Sequence, residues 1–341
     1  MVISKESLQE ALGIVKPGLT GNEIIEQTTS FAFIGGNVVT YNDEISLSHP
    51  VEGLDFEGAI KSDKLYQFLT KTDQDEIQLE IKENELLVTA GKARVWLTLQ
   101  SEIRLPLDEE LSKKGKWKDL PENFIKFVVM CIPSCSTDLF KPLLGTIHVT
   151  REGIVEASDG YRITHCVLSK EMPVETFLIP SKSAKLMIQL KPVQIAEGRG
   201  WMHFRTETGT VLSCRILEFD KFPNTLPFLN VEGERIVFPR TISEVVKRAE
   251  VFSKDLNSNL DVLQVEIADN LLVIKAKTSI GRFEETVNMK YKGDPIIFQI
   301  NPGLLQGILS ETQEAILSEK MILFNGEGWK HLVMLIVNTS Y

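Results

Sequence analysis

The sequence predicts an α+β protein made of three tandem copies of one domain, and three recurrences predict it. The first is an apolar spacing. From Ile60, apolar residues follow at +5, +8 and +9 (Leu65, Phe68, Leu69); from Ile179 the same offsets give Ala184, Met187 and Ile188, and from Ile300 they give Leu305, Ile308 and Leu309. The second is a polar, hairpin-like turn between alternating runs, at Gly35-Gly36-Asn37, at Glu152-Gly153 and at Asp269-Asn270. The third is an amphipathic stretch ahead of each turn: Leu8, Leu12 and Val15; Phe124, Val128 and Cys131; Ile242, Val246 and Phe252, the last drifting by a residue. The interval is roughly 120 residues, the size of a domain rather than of a solenoid turn. Alternation occurs in any protein of helices and strands, but on its own it does not fix the distances between elements.

Taken in order, each repeat reads as helix, strand hairpin, further strand, helix and a second strand pair. In the first, Ile77, Leu79 and Ile81 alternate with polar residues, turn at Lys82 to Glu85 and resume at Leu86 to Val88, with another strand around Ala93 to Leu99. Its counterparts are Trp201 to Phe204 with Val211 to Ile216, and Ile322 to Phe324 with His331 to Val337. The latter pair flanks Asn325-Gly326-Glu327-Gly328, and Asn-Gly favours a tight hairpin because both residues accept positive φ. Between repeats the composition shifts. Leu105 to Lys118 is a charged connector containing Lys113-Lys114-Gly115-Lys116, and Phe222 to Glu234 holds Pro223 and Pro227, which stop helices and restrict strand pairing. Domains of 1–116, 117–230 and 231–341 follow.

A hydrophobic content of 43% and a charged content of 25% over 341 residues are those of a soluble globular chain. No run approaches the roughly 20 apolar residues of a membrane span, and the N-terminus lacks a basic region followed by an apolar core, so a cytoplasmic protein without a membrane partner is expected. The four cysteines form no Cys-x-x-Cys pair; Pro133 interrupts the helix between Cys131 and Cys135, and buried thiols are the expected state. The net charge of −10 argues against a nucleic-acid partner, but its distribution does not. Lys182, Lys185 and Lys191 share one predicted helix with no acidic residue, and Lys64, Lys71, Lys126, Lys247 and Lys254 fall on or beside the others. Acidic residues gather instead in strands and turns such as Asp73 to Glu85, Asp108 to Glu110 and Glu284-Glu285. From charge alone, lysines that merely solvate outer helix faces explain this equally well.

Catalysis needs convergent groups, and few are in view. His49, His148, His165, His203 and His331 are scattered without metal-ligand spacing, so no metal or cofactor is expected, and no phosphate loop, nucleophile elbow or dinucleotide fingerprint occurs. Ser158-Asp159-Gly160-Tyr161-Arg162 pairs a carboxylate, a phenol and an arginine in the manner of an active-site loop. A strand-to-strand turn, with glycine supplying an unusual backbone angle, explains it better.

Three tandem repeats, the Asp159-Gly160-Tyr161-Arg162-Ile163 segment, Arg215 to Pro223 ending in Phe-Pro, Ile179-Pro180-Ser181-Lys182 leading into a helix, and Phe298 to Leu309 with Asn301 together resemble the bacterial DNA polymerase III β subunit, the DNA sliding clamp. The resemblance covers nearly the whole chain, in order and spacing. It implies a non-enzymatic processivity factor. Two head-to-tail subunits would form a ring of six domains, with two helices per domain lining the hole and sheets outside, and with lysine-bearing helices facing duplex DNA. The lysines named above would face the DNA. The replicative polymerase, the clamp loader and other proteins with clamp-binding motifs would dock short peptides, with a Gln and a Leu-x-Leu-Phe-like end, into a cleft between the second and third domains. By carry-over that cleft comprises Leu143, Ser158, Gly160, Tyr161, Arg162, Ile163, Pro223, Asn301, Leu304, Met334 and Ile336. Arg162 and Asn301 would bond the peptide, and Leu105 and Leu107 of one subunit would face Val251 and Phe252 of the other. The chain departs from the family at Met334-Leu335-Ile336, where the family has Met-Pro-Met, and at Thr20-Gly21-Asn22, where it has a DNA-touching arginine. Its shortened connectors and weak local identity to the family suggest a divergent clamp, as one carried by a phage or mobile element would be. A clamp-fold scaffold that docks peptides without encircling DNA is the alternative.

Overall fold

Helices form where the sequence offers an apolar stripe. In the computed structural model, which describes residues 1–107, 115–218, 221–254, 261–305 and 307–336, α1 (Lys5–Val15) starts at Ser4, whose side chain accepts a hydrogen bond from the Ser7 amide, and it buries Leu8, Ala11, Leu12 and Val15. Leu65 and Leu69 are buried on α2 (Ser62–Thr70), and Phe124, Phe127, Val128 and Cys131 on α3 (Phe124–Cys131). In α4 (Ser181–Leu190) the buried residues are Ser183, Ala184 and Met187, and in α5 (Ile242–Glu250) they are Ile242, Val245, Val246 and Ala249. Two expectations are corrected here. Phe252 is not on the buried stripe, because α5 ends at Glu250; its ring is 37% exposed and stacks on Phe283 at 5.9 Å. The third Ile-led segment gives only a 3-10 turn, Pro302–Leu304, and the short α6 (Ile308–Glu311). Within the described residues no helix is long and apolar enough to cross a membrane.

Among the described residues all strands pair antiparallel, in four sheets divided between two compact units. The unit of Met1–Leu120, Pro173–Glu175 and Lys182–Glu218 holds a four-stranded sheet, in the order Val2–Ser4, Glu76–Lys82, Glu85–Ala90, Ala93–Thr98. It also holds an eight-stranded sheet: Gly58–Lys61, Ser30–Ile34, Asn37–Tyr41, Ile45–Pro50, Val211–Arg215, Trp201–Arg205, Gln194–Gly198, Lys118–Asp119. The unit of Pro121–Met172, Thr176–Ser181 and Phe219–Tyr341 repeats this plan. Its eight strands run Phe177–Pro180, Thr146–Val149, Ile154–Ser158, Arg162–Val167, Trp329–Met334, Met321–Gly326, Glu314–Leu317, Glu234–Val237, and its four run Arg282–Asn288, Leu271–Lys277, Leu263–Ala268, Ile296–Ile300.

Each eight-stranded sheet is two half-sheets from successive repeats. The first joins Ile45–Pro50 to Val211–Arg215, with Ser46 opposite Ser213; the second joins Arg162–Val167 to Trp329–Met334, with Ile163 opposite Leu332. The middle repeat thus gives one half-sheet to each unit. The three repeated turns sit at hairpins as expected; the first two lead towards the joining strands Ile45–Pro50 and Arg162–Val167 and the third towards Arg282–Asn288, at the edge of its sheet, and Asp269 and Asn270 both adopt positive φ (53° and 61°) there. Helices repeat the plan too: α1 packs on Asn37–Tyr41 and Ile45–Pro50, α3 on Ile154–Ser158 and Arg162–Val167, and α5 on Leu271–Lys277 and Arg282–Asn288. The connector at 108–114 and the residues beyond Ile336 lie outside the described residues.

Leu105 and Leu107 are corrected as surface contacts. Leu105 is 6% exposed in a cluster with Ala32, Val39, Tyr41, Ala59 and Trp201, and Leu107 packs against that cluster. The connector turns inward here because Gln27, itself buried, donates to the Glu102 carbonyl and accepts from the Arg104 amide, each at 2.8 Å. Leu105→Ala should therefore cost about 2–4 kcal/mol of folding stability, as removal of a core side chain does. Urea unfolding measures it, and an unchanged midpoint would contradict the placement.

Candidate functional site

The residues singled out around Asp159-Gly160-Tyr161-Arg162 meet at the join between Arg162–Val167 and Trp329–Met334. The loop before this join is a built turn: Gly160 has φ 93°, the Asp159 carboxylate accepts the amides of Tyr161 and Arg162 at 2.9 Å each, and Ser158 Oγ donates to the Arg162 carbonyl at 3.0 Å. The turn reading of this motif therefore holds. Arg162 reaches out of it, with Nε on Asp159 Oδ2 at 2.9 Å and Nη1 on the Gly303 carbonyl at 3.2 Å. The guanidinium thereby clasps a turn from the second repeat to one from the third. Asn301 is engaged as well, its Oδ1 accepting the Gly303 amide at 2.8 Å. Both side chains expected to bond a peptide are thus partly spent in bonds to the Gly303 turn.

Along the join, the Met334 amide donates to the Tyr161 carbonyl at 2.8 Å, and the Ile336 amide to the Gln299 carbonyl at 2.8 Å. Met334 and Ile336 are half-buried, with Leu335 between them facing inward, and Leu304 is half-buried. Tyr161 (64% exposed), Gly160 and Pro223 stand open to solvent, and Leu143 is half-buried in a 3-10 turn before Thr146–Val149. Ile163 belongs to an apolar cluster with Leu229, Leu323 and Leu332. Beneath the join, His331 Nδ1 is 2.8 Å from Thr164 Oγ1, which is 2.7 Å from Ser134 Oγ. Burial, and then the nearby charge of Arg162, lower the His331 imidazole to about 4, so it is neutral at physiological pH.

Sequence reasoning missed a polar row across the same sheet. His148, Glu156, His165 and Lys330 are successive cross-strand partners. Glu156 accepts from His148 Nδ1 at 2.8 Å, from His165 Nδ1 at 3.0 Å and from the Thr225 hydroxyl, and Phe222 stacks on His148 at 4.7 Å. This ties the segment carrying Pro223 to the sheet. Burial opposes ionisation of Glu156, but the hydrogen bonds from His148, His165 and Thr225 and the charge of His165 outweigh it and hold the carboxyl down at about 2. Once the turn at Glu152-Gly153 is fixed, the facing of His148 and Glu156 follows from strand periodicity; Thr225 comes from too far along the chain to be read that way.

Lys64, Lys71, Lys126, Lys182, Lys185, Lys191, Lys247 and Lys254 are all exposed. Lys247 and Lys254 pair with Glu244 (2.8 Å) and Glu250 (3.6 Å), whereas the other six make no ion pair among the described residues. Lys182 and Lys185 lie three residues apart on α4, on the side opposite Ala184 and Met187. Val251 is 72% exposed. Among the described residues, no group of three His, Cys, Asp or Glu side chains is placed to hold a metal ion. The four cysteines are buried as free thiols, and burial pushes Cys214 up to about 12.

No protein-family model matches the sequence, and no curated protein matches it. Solved structures do match. A DnaN sliding clamp (DNA polymerase III subunit beta) from Pseudomonas aeruginosa bound to griselimycin superposes with a TM-score of 0.85 at 18% identity, covering 99% of both chains. The DNA polymerase III beta chain from Streptococcus pneumoniae gives 0.85 at 17% over 99% of both, and that from Thermotoga maritima 0.78 at 17% over 98% of both. Over its whole length the chain has the sliding-clamp fold.

Glu156 yields a pH prediction. Its folded value lies below the ordinary 4.5, so its contribution is fully present above about pH 4.5 and is lost as pH falls towards 2. Glu156→Gln should cost on the order of 3 kcal/mol at pH 7, a deficit that shrinks on acidification. Urea titrations at pH 7 and pH 3 check this, and an equal deficit at both would contradict it.

Proposed function

We propose that the chain is a DNA polymerase processivity factor, a non-enzymatic cytoplasmic sliding clamp with domains 1–116, 117–230 and 231–341 that closes as a head-to-tail homodimer around duplex DNA. One observation carries this reading: the rule by which half-sheets join is used twice within the chain and leaves one half-sheet over at each end. Repeat two completes the sheet of repeat one, and repeat three that of repeat two. The leftover edges are Arg282–Asn288, the third-repeat counterpart of Arg162–Val167, and Ala93–Thr98, the first-repeat counterpart of Trp329–Met334. Among the described residues each is the outer strand of its sheet, and a second copy supplies the missing neighbour. Carrying over the register of the two internal joins sets Trp96 of one subunit opposite Glu284 of the other, and Leu97 opposite Phe283. Val251 and Phe252 flank this seam, and Ala93–Thr98 replaces Leu105 and Leu107 as their facing partner.

In this reading the exposed lysines of the helices face the DNA. Contacts through phosphate are weak, independent of sequence and sensitive to salt, so the ring slides, and retention is topological. The cleft around Ile163, Leu304, Met334 and Ile336 receives peptides of the replicative polymerase, the clamp loader and other clamp-binding proteins in an extended form, as short linear motifs bind generally.

Phe252→Asp places a charge in the seam and should convert dimers to monomers; a sedimentation profile that stays dimeric would contradict the interface. Wild-type protein loaded on nicked circular DNA should remain bound and be lost once the circle is linearised. Equal retention on both forms would favour a scaffold that does not encircle DNA. Leu304→Lys should abolish binding of a labelled peptide with a Gln and a Leu-x-Leu-Phe-like end, while Lys182→Ala leaves it intact. Undiminished binding by the Leu304 variant, read by anisotropy, would put the pocket elsewhere.

A further inference from the structure

Next to the cleft, the same sheet face carries a second hollow of about 550 Å³. Its floor is His165, Val167 and Lys330, its roof is Leu226 and Leu229, and the hairpin at Asn325 closes one end. The roof is held by the Thr225 bond to Glu156, by Phe222 on His148 and by Lys330 Nζ, which donates to the Leu229 carbonyl at 3.4 Å. The groove is therefore preformed, and its apolar walls are uncovered: Val167 is 49% and Leu226 56% exposed.

Its charge selects the occupant. Among the described residues no carboxylate lines the groove, and Lys330 at its rim is exposed and has no ion-pair partner, Glu327 at the hairpin tip included. The Glu156 carboxylate lies behind His165, with both oxygens already accepting hydrogen bonds. Leu229 belongs both to this groove and to the cluster around Ile163, so groove and cleft are continuous. From Ile163 to Val167 is four residues of one strand, a span of about 13 Å that four extended peptide residues also cover.

We propose that this groove is a second anchor site for the partner peptides. An apolar side chain about four residues from the cleft anchor fills the space between Val167 and Leu226, and an adjacent carboxylate pairs with Lys330. The proposal rests on the reading of the cleft as a peptide site, and the test separates the two. A short labelled peptide with a Gln and a Leu-x-Leu-Phe-like end is compared with one extended on both sides by four residues that include a Phe and two Glu. The extended peptide should bind wild type about tenfold more tightly at low salt. Val167→Lys should remove that gain without changing the affinity of the short peptide, and Lys330→Gln should remove most of the salt dependence of the gain. Both positions are exposed, so circular dichroism should show the variants folded. Equal affinity of the two peptides for wild type, or a gain that survives Val167→Lys, overturns the groove. Failure of both peptides to bind overturns cleft and groove together. Binding of the extended peptide alone, lost in Val167→Lys, keeps the groove and rejects the cleft.

Discussion

The rest of the structure depends on backbone hydrogen bonding at the ends of half-sheets. A four-stranded antiparallel sheet leaves a row of amides and carbonyls open at its edge, and each that is buried without a partner costs about 1–3 kcal/mol. Within this chain Ile45–Pro50 is completed by Val211–Arg215, and Arg162–Val167 by Trp329–Met334. Repetition of one domain turns a local need into a directional rule, because each repeat completes its predecessor and awaits completion by its successor. A chain of three such repeats ends with one edge of each kind, and the closed assembly of identical subunits is the arrangement that removes both.

The candidate peptide site follows from the second of these joins. Two strands from different repeats meet there, so the turns that precede them meet as well, and Arg162 locks Asp159 to Gly303 across the gap. The two turns are consequently fixed by charge-assisted hydrogen bonds rather than by packing alone. The row from His148 to Lys330 does the same for the segment carrying Pro223. Polar groups buried in this way cost stability unless each is satisfied, and Glu156 is satisfied three times. Their placement explains how irregular segments with two prolines hold a defined shape against a sheet.

Much of the fold was legible in the sequence because it rests on local periodicity. The turns at Gly35-Gly36, Glu152-Gly153 and Asp269-Asn270 and the stripes of Leu8, Leu12 and Val15 or Phe124, Val128 and Cys131 are each decided within a dozen residues. The same logic failed where tertiary context intervenes. Leu105 reads as an exposed connector residue, yet it is drawn into the core by Gln27, which is distant in sequence. Phe252 reads as the end of a helical stripe, yet the helix stops two residues earlier. In the candidate site, Tyr161, Ile163 and Met334 were found through their resemblance to a family motif. Glu156, Thr225 and Leu229 were not, since their roles arise from hydrogen bonds and contacts between segments that no spacing rule connects. The lysines on α4 were legible as a pattern, and Lys182 and Lys185 are exposed on the side opposite its buried residues.

The central claim is that a second copy supplies the missing partner of each open edge in one particular register. Disulfide trapping tests it directly, since the four native cysteines are buried. A chain carrying Trp96→Cys and Glu284→Cys, positions set opposite each other by the internal joins, should oxidise to a covalent dimer at micromolar concentration. A chain carrying Trp96→Cys and Asn288→Cys, four residues out of register, should not. Absence of cross-linking in the first, or equal cross-linking in both, would contradict the account.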